Sequence, residues 1–272
     1  MPDAVFYSHF KKDPYFNMAF DEHLLARSLE LPGCLFLRLY SWAPGTITFG
    51  FNQRESTALD WTRLGDTPVI RRVTGGRAIF HDEGEITYSI VVNGLMQESP
   101  LLSGSVSAVS ANLAEALARF LESLGIQSAY ARQSAPENAQ PAFFHKAPCF
   151  ASHARYELMT GGRKIIASAQ KRLSDSILQH GSIKLQGLAL HPSLNGDVDR
   201  IADVGQALTE ERFRQLAAQF RLVMGASLGV EFTDANGRIE AGDGLEKRLA
   251  EVGADPIARR EILKQSAPAS SL

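Results

Sequence analysis

Cys149 and Lys164 are the two side chains in this sequence with the clearest capacity for covalent chemistry. A cysteine acts as a nucleophile through its thiolate, which forms most readily when the thiol is partly exposed and has a positive neighbour. Cys149 follows residues 132–141, a stretch without apolar periodicity that is typical of a surface loop, so we expect an accessible thiol. Two plainer interpretations stay open from the local pattern: an inert core cysteine and a surface lysine.

The segment from residue 162 to residue 183 combines a cation, small side chains and a histidine. Lys164 begins a predicted strand of small residues, where an ammonium group can stabilise an anion or lower the pKa of a nearby thiol. Ala167, Ser168 and Ala169 leave space beside that strand for a ligand chain, and His180 follows. The pattern favours a site that holds a ligand chain next to a positive charge.

A second polar segment, residues 71–82 (RRVTGGRAIFHD), places two glycines directly after a predicted strand. Without Cβ atoms, Gly75 and Gly76 allow backbone N–H groups to approach a ligand closely. The flanking Arg71, Arg72 and Arg77 could hold a phosphate or an acyl carbonyl. A tight hairpin with solvated arginines is the alternative. The Gly-Lys-Ser/Thr ending of nucleotide-hydrolase phosphate loops is absent.

Alternating strand and helix patterns must position these segments. The sequence predicts strands over 34–40, 46–50, 69–72 and 86–92, a hairpin over 156–169, and helices over 15–29, 105–124, 209–224 and 244–252. In the first helix we expect an apolar face, with Asn17, Asp21 and Glu22 off that face. The mixture predicts an α/β or α+β protein with one domain, residues 1–264, and a disordered tail, residues 265–272.

Composition excludes several classes of function. The 272 residues carry 28 Lys and Arg against 30 Asp and Glu, so the formal net charge is −2 and gives no basis for broad binding to nucleic acid or anionic membranes. No targeting segment and no run of about 18 apolar residues is present, which predicts a cytoplasmic protein. The two cysteines cannot form a disulfide framework, and Cys34, at the start of an apolar strand, is predicted to lie in the core.

Three motifs together carry a family resemblance. Residues 71–82, with Glu85 and residues 87–89 just after them, resemble the first signature of the lipoate–protein ligase and octanoyltransferase superfamily. Residues 162–183 resemble its second signature, and residues 16–21 (FNMAFD) are similar to its N-terminal helix. The resemblance implies a biotin/lipoate ligase-like catalytic domain, with a mixed, largely antiparallel β-sheet flanked by helices.

Within this superfamily, Cys149-Phe150 followed by residues 156–158 is similar to the branch that forms a cysteine thioester. Those enzymes move octanoate from acyl carrier protein to the H protein of the glycine cleavage system. The resemblance makes Cys149 the nucleophile and Lys164 the residue that lowers its pKa. Ala167 is a departure, because the family usually has glycine there, which leaves the acyl chain-length preference open.

The resemblance and the local chemistry together define an expected site. Catalysis is assigned to Cys149 and Lys164, with backbone N–H groups near Gly75-Gly76 or Ser168-Ala169 as candidate oxyanion donors. The histidines are expected to shape the pocket. The predicted substrate-binding residues are Arg72, Thr74, Gly75, Gly76, Arg77, His81, Ala167, Ser168, Ala169 and His180. We expect no metal and no cofactor.

Three other functions remain open at this stage. An ATP-dependent lipoate–protein ligase would use ATP and Mg²⁺ and would have no need of Cys149. An amidotransferase would move the acyl group between carrier domains through the same cysteine, and a non-catalytic binding module would recognise lipoyl domains. For the transferase, the acceptor is the H protein or a lipoyl domain of a 2-oxoacid dehydrogenase. A basic patch for acidic carrier domains is predicted at Arg71, Arg72, Lys171 and Arg172.

Overall fold

A computed structural model describes residues 4–54, 59–82, 84–93, 106–130, 157–185, 191–194, 208–235 and 243–253. The predicted nucleophile Cys149, the predicted loop 132–141 and the predicted tail 265–272 lie outside these ranges. Eleven strands and four helices fall within them. The strands are β1 (Ala4–Lys12), β2 (Leu35–Trp42), β3 (Thr46–Phe49), β4 (Val69–Arg71), β5 (Ile79–His81), β6 (Glu85–Asn93), β7 (Ala129–Tyr130), β8 (Leu158–Thr160), β9 (Arg163–Leu173), β10 (Ser176–Lys184) and β11 (Thr233–Asp234). The helices are α1 (Pro14–Glu30), α2 (Val106–Ser123), α3 (Glu210–Leu228) and α4 (Asp243–Val252).

The strands form one large and one small sheet. The main sheet has eight strands in the order β11-β1-β2-β6-β10-β9-β8-β7, and the small sheet has the order β4-β3-β5. In the main sheet β1 is parallel to both of its neighbours, whereas every pairing from β2 to β7 is antiparallel. The predicted class, a mixed and largely antiparallel sheet flanked by helices, is therefore confirmed.

Side-chain alternation along β2 divides the core into two layers. Leu35, Leu37 and Leu39 face a cluster that includes Phe120 of α2 and Phe220 of α3. On the other face, Phe36, Tyr40 and Trp42 belong to a second cluster with α1 and α4. The central strands β2, β6 and β10 are therefore buried on both faces, and their polar side chains are buried as well.

Helix α1 has more buried polar surface than its periodicity predicts. Asp13 caps its N-terminus by accepting hydrogen bonds from the N–H groups of Tyr15 and Phe16 at 2.9 and 3.1 Å, and Pro14 follows. Asn17, Asp21 and Glu22, which we expected off the buried face, are 0, 1 and 6% exposed. That expectation is wrong because α1 contacts both the main sheet and α4.

Two predicted boundaries show where glycine acts as a turn residue. The hairpin over 156–169 is confirmed as β8 and β9 joined at Gly161-Gly162, both with positive φ, the backbone of a two-residue hairpin turn. The predicted end of α3 at residue 224 is wrong. The helix continues to Leu228, and Gly229, with φ of 69°, ends it. Within the described ranges, no helix is long and apolar enough to cross a membrane.

Candidate active site

A cavity lies between the main sheet, the small sheet and α1. Side chains and backbone from both sheets contribute to its walls: Met18, Tyr40, Thr48, Arg72, Ile79, His81, Thr87, Ala167, Ser168, Ala169, His180, Gly181 and Ser182. Six of the ten predicted substrate-binding residues are in this lining, and the other four, residues 74–77, form the turn beside it. The sequence-predicted segments thus meet at one place, although their roles remain predictions.

One wall, which we call the lysine wall, consists of residues 157–169. The pairing of β8 with β9 shifts by one residue, because Leu158 pairs with Ile166 whereas Met159 pairs with Lys164. The two consecutive isoleucines Ile165 and Ile166 both pack in the core cluster of α2 and α3, as at a β-bulge. Lys164 therefore falls on the cavity face of the sheet with Ala167 and Ala169, although it does not itself line the cavity.

Lys164 is completely buried and ion-paired. Its Nζ lies 2.7 Å from Oε2 of Glu157, whose side chain is 11% exposed. The plainer interpretation of Lys164 as a surface residue is wrong. Glu157 is a site residue to which sequence reasoning gave no role.

The opposite wall, which we call the glycine wall, consists of residues 72–77 together with Thr48 and His81. The turn in it is not a hairpin: β4 and β5 pair with opposite edges of β3, and the turn crosses from one edge to the other. Gly76 has φ of 89°, and a Cβ placed there would lie 2.8 Å from Nη2 of Arg72 and 3.7 Å from Cβ of Ala169. The turn therefore faces the lysine wall at short range and has space only for glycine at residue 76.

Arg71 and Arg72, at the end of β4, are structural. Arg71 is 0% exposed and donates from Nη1 to the carbonyls of Gly50, Phe51 and Gln53. Arg72 is 4% exposed and donates to main-chain carbonyls of Thr48, Gly75 and Arg77. The prediction that these two arginines form a docking patch is wrong, because both side chains bond to the protein interior.

Of the predicted basic patch, only the β9 pair lies at the surface. Arg172 is exposed, and the half-buried Lys171 places its Nζ 5.2 Å from the ring centre of Phe51. Half-buried Arg77 is in the glycine wall, where its carbonyl accepts from Arg72. A docking surface would therefore use Lys171 and Arg172.

His180 is connected to a buried carboxylate and to the glycine wall. Its Nδ1 lies 3.2 Å from Oδ2 of Asp21, and its Nε2 lies 2.6 Å from Oγ1 of Thr74. Asp21 also accepts from Arg38 at 2.8 Å and from Tyr40 at 2.8 Å. Burial by itself raises the pKa of Asp21, but the Arg38 guanidinium and His180 together lower it below its usual value.

His81 has the same kind of surroundings on the other side of the cavity. Its Nδ1 lies 2.6 Å from Oε1 of Glu85, and its Nε2 lies 2.8 Å from Oγ1 of Thr48. Burial lowers the pKa of His81 although the Glu85 carboxylate opposes this, so the ring is neutral at neutral pH. Trp42 stacks on it with ring centres 4.1 Å apart.

The carboxylate partner of His81 is held by a second buried lysine. Nζ of Lys184 lies 2.6 Å from Oε2 of Glu85 and 2.8 Å from Oδ2 of Asp82. Burial alone would raise the pKa of Glu85, but Lys184 and then His81 lower it to about 2. Sequence reasoning missed the roles of Asp21, Lys184 and Thr48. In the sequence, these residues differed from their neighbours only as polar side chains among apolar ones.

Of the two cysteines, Cys34 lies within the described residues and Cys149 lies outside them. Cys34 is 3% exposed and packs in the core with α1, which confirms its predicted location. Cys149 is outside the described residues, so its position relative to Lys164 stays a prediction. Among the described residues, there is no group of three or more histidine, cysteine or acidic side chains that could hold a metal ion.

The fold of this chain is that of lipoate–protein ligases. Lipoate-protein ligase A bound with ATP superposes with a TM-score of 0.70 at 16% identity, over 96% of this chain and 99% of that one. A bipartite lipoate protein ligase from Thermoplasma acidophilum gives a TM-score of 0.66 at 15% identity, over 92% of each chain. At these identities, the likeness shows the fold alone.

The chain belongs to the lipoyl protein ligase A/B catalytic domain family, whose model matches residues 13–218. A curated relative named octanoyltransferase LipM, from Kyrpidia tusciae, is 36% identical over 92% of this chain and 89% of its own length. The relative of the same name from Moorella thermoacetica is 38% identical over 68% of this chain and 63% of its own length. The predicted family is thereby confirmed.

Proposed function

We propose that this protein is an octanoyltransferase of protein lipoylation, which moves an octanoyl group from octanoyl-acyl carrier protein through a Cys149 thioester to a lysine of an acceptor protein. The observation that carries this proposal is Lys164, buried on the cavity face in an ion pair with Glu157. The curated relatives named octanoyltransferase support the same reaction class. The acceptor we propose is the H protein of the glycine cleavage system or a lipoyl domain.

The first step is a thioester exchange. The Cys149 thiolate attacks the octanoyl carbonyl, a new carbon–sulfur bond forms, and the bond to the donor's sulfur breaks with release of the donor thiol. One thioester replaces another, so the step needs no ATP and has little net free-energy change. An ordinary cysteine with a pKa of about 8.5 is only a few per cent thiolate at neutral pH, and the Lys164 ammonium raises that fraction.

The second step forms an amide. The ε-amine of the acceptor lysine attacks the octanoyl-enzyme, the carbon–nitrogen bond forms, and the Cys149 sulfur leaves. The attacking amine loses one proton, which Lys164 relays to the departing sulfur or to solvent. Because an amide is more stable than a thioester, this step makes the overall transfer favourable. Backbone N–H groups of the glycine turn are suited to stabilise the negative oxygen of the tetrahedral intermediate.

Mass measurement of the purified protein tests the proposal. After incubation with octanoyl-acyl carrier protein and without ATP, we expect one added octanoyl group that hydroxylamine removes and that Cys149→Ala does not acquire. Cys34→Ser, which alters a core cysteine, should acquire the group normally. A folded but inactive Cys34→Ser protein would overturn the choice of nucleophile.

The rival functions give different results in the same assay. A lipoate–protein ligase would form no adduct with the octanoyl carrier, and its Cys149→Ser variant would modify a lipoyl domain only with free lipoate, ATP and Mg²⁺. An amidotransferase would take the acyl group from an octanoylated carrier domain rather than from acyl carrier protein. A binding module would retain a lipoyl domain without modifying it.

A further inference from the structure

The two cavity histidines have matching surroundings. In each case Nδ1 faces a buried carboxylate and Nε2 faces a threonine hydroxyl: Asp21 and Thr74 for His180, Glu85 and Thr48 for His81. A carboxylate can only accept, so Nδ1 of each ring carries a hydrogen, and we assign Nε2 as the acceptor of the threonine hydroxyl. Each carboxylate is held in turn by a buried cation.

Both chains of hydrogen bonds end at the same turn. Thr74 directly precedes Gly75, so the chain from Asp21 through His180 fixes the beginning of the turn. The Thr48 hydroxyl accepts from Nη1 of Arg72 at 3.1 Å, and Nη2 of the same guanidinium donates to the Gly75 and Arg77 carbonyls at 2.8 Å each. The second chain therefore fixes the carbonyls on either side of Gly76.

The turn that these contacts hold leaves one backbone N–H group available as a hydrogen-bond donor. In the described part of the chain, the Gly76 N–H makes no hydrogen bond, and the residue is exposed. Gly76 also faces Ala169 of the lysine wall at short range, as the 3.7 Å approach of a Cβ at residue 76 shows. A donor stabilises a developing negative charge most when it is already in place, because no reorganisation is needed during the reaction.

We propose that His180 and His81 are positioning residues for acyl transfer, which fix the Gly75-Gly76 turn through Thr74 and through the Thr48–Arg72 contact so that the Gly76 N–H faces the acyl carbonyl oxygen. This inference rests on the proposed function. It assigns to each histidine an orienting role through its threonine, and the hydroxyl of Thr74 becomes the most direct contact to remove.

Thr74→Val tests the proposal, because valine keeps the shape of threonine and removes the hydroxyl. We expect kcat for octanoyl transfer to fall by about 100-fold, as for the displacement of an oxyanion donor, while KM for the carrier protein changes by less than about 3-fold. Thr74→Ser, which restores a hydroxyl, should recover most of kcat. The matched control is Thr46→Val on β3, whose equally buried hydroxyl donates to the Pro44 carbonyl at 3.0 Å and should leave kcat unchanged.

A second readout follows the turn itself. Amide hydrogen exchange over residues 73–78 should be faster in Thr74→Val than in the parent protein and unchanged in Thr46→Val. His180→Gln added to Thr74→Val should reduce kcat little further, since the two residues act in series.

The outcomes separate the two proposals. Unchanged exchange in Thr74→Val, a kcat within about 3-fold of the parent, failure of serine to restore kcat, or an equal loss in Thr46→Val would each overturn the positioning role. A parent protein that forms no octanoyl adduct would instead overturn the octanoyltransferase function. The exchange measurement still decides in that case whether Thr74 holds the turn.

Discussion

The glycine wall and the lysine wall both contain a buried cation, but the two cations are held in different ways. Arg72 donates to carbonyls of its own wall, and a guanidinium group is not suited to give up a proton. Lys164 is paired with the carboxylate of Glu157, and an ammonium group can give up and regain a proton. The guanidinium of the glycine wall fixes the backbone of the turn, whereas the ammonium of the lysine wall is the group we propose for proton transfer.

The two kinds of partner predict different effects when each cation is removed. A cation that satisfies main-chain carbonyls fixes the path of the backbone, so its loss should reduce stability. A cation that is paired with one acidic side chain contributes less to the path of the chain, so its loss should reduce reaction rate. The following predictions apply this distinction, beginning with the largest effect.

The strongest test of the lysine wall is Lys164→Met. We expect octanoyl transfer to fall by roughly 1,000-fold, because general acid–base catalysis and thiolate stabilisation are lost together. The variant should keep its secondary structure in circular dichroism, whereas urea unfolding should show a lower free energy of unfolding, because the Glu157 carboxylate loses its buried partner. Full activity of Lys164→Met in the single-turnover mass assay would remove the proposed role of this residue.

Replacement of Arg72 should act mainly on stability. Arg72→Met leaves the carbonyls of Thr48, Gly75 and Arg77 buried without their donors, so we expect the free energy of unfolding to fall by about 4 kcal/mol. Urea unfolding measures this loss. Arg63→Met, at an exposed arginine, is the control and should change the unfolding free energy by less than about 0.5 kcal/mol. A small loss in Arg72→Met would contradict the scaffold role.

The glycine wall should also be sensitive to acid. The pKa of Glu85 is about 2 in the folded protein against 4.5 for an ordinary glutamate, so its contribution to stability is complete above pH 4.5 and is lost as the pH falls towards 2. The lowered pKa of His81 adds to the loss below pH 6.5, since only the unfolded chain readily takes up that proton. The Glu85 contribution is on the order of 3 kcal/mol.

Urea unfolding between pH 7 and pH 3 measures this dependence. In Glu85→Gln the curve should be flatter below pH 4.5, whereas Glu115→Gln, at a glutamate whose side chain is 55% exposed, should follow the parent protein. A steep acid limb that persists in Glu85→Gln would place the acid-sensitive group elsewhere.

The two glycines of the turn offer a matched pair. Gly76 has positive φ, and a Cβ there would contact Arg72 Nη2 at 2.8 Å, whereas a Cβ on Gly75 meets nothing within 4 Å. Gly76→Ala should therefore lower the free energy of unfolding by about 1 to 2 kcal/mol, while Gly75→Ala should leave it nearly unchanged. Equal unfolding free energies for the two variants would show that the turn is not constrained at residue 76.

The smallest expected effect is at the surface beside the cavity. We predict that Lys171→Glu combined with Arg172→Glu raises KM for the acyl carrier several-fold and leaves kcat unchanged, because exposed charges mainly affect encounter with an acidic partner. Added salt should reduce the difference. Reversal of Arg119 on α2, 56% exposed, is the control and should not change KM. Unchanged turnover in the double variant would exclude this surface from docking.

Sequence patterns predicted the four helices and several strands, because apolar periodicity depends on which face of an element is buried. The strands β2, β3, β4 and β6, the hairpin at Gly161-Gly162 and the confirmed family follow from residues that act locally or in fixed motifs, whereas the nine-residue strands β1 and β10 were not predicted. The patterns failed at α1, where Asp21 and Asn17 are buried. No local pattern shows that a helix is covered on more than one side.

The sequence by itself determined the family, the fold class and the segments that meet at the cavity, since motif residues such as Gly76 and Lys164 are set by backbone and chemical requirements that can be recognised one segment at a time. Only the tertiary structure decided which buried cation bonds to main-chain carbonyls and which is paired with a carboxylate. Arg72 and Lys164 look alike in the sequence as basic residues beside strands. Arg72 donates to carbonyls of β3 and of the turn, and Lys164 pairs with the Glu157 carboxylate. Strand pairing and the bulge in β9 set these partners.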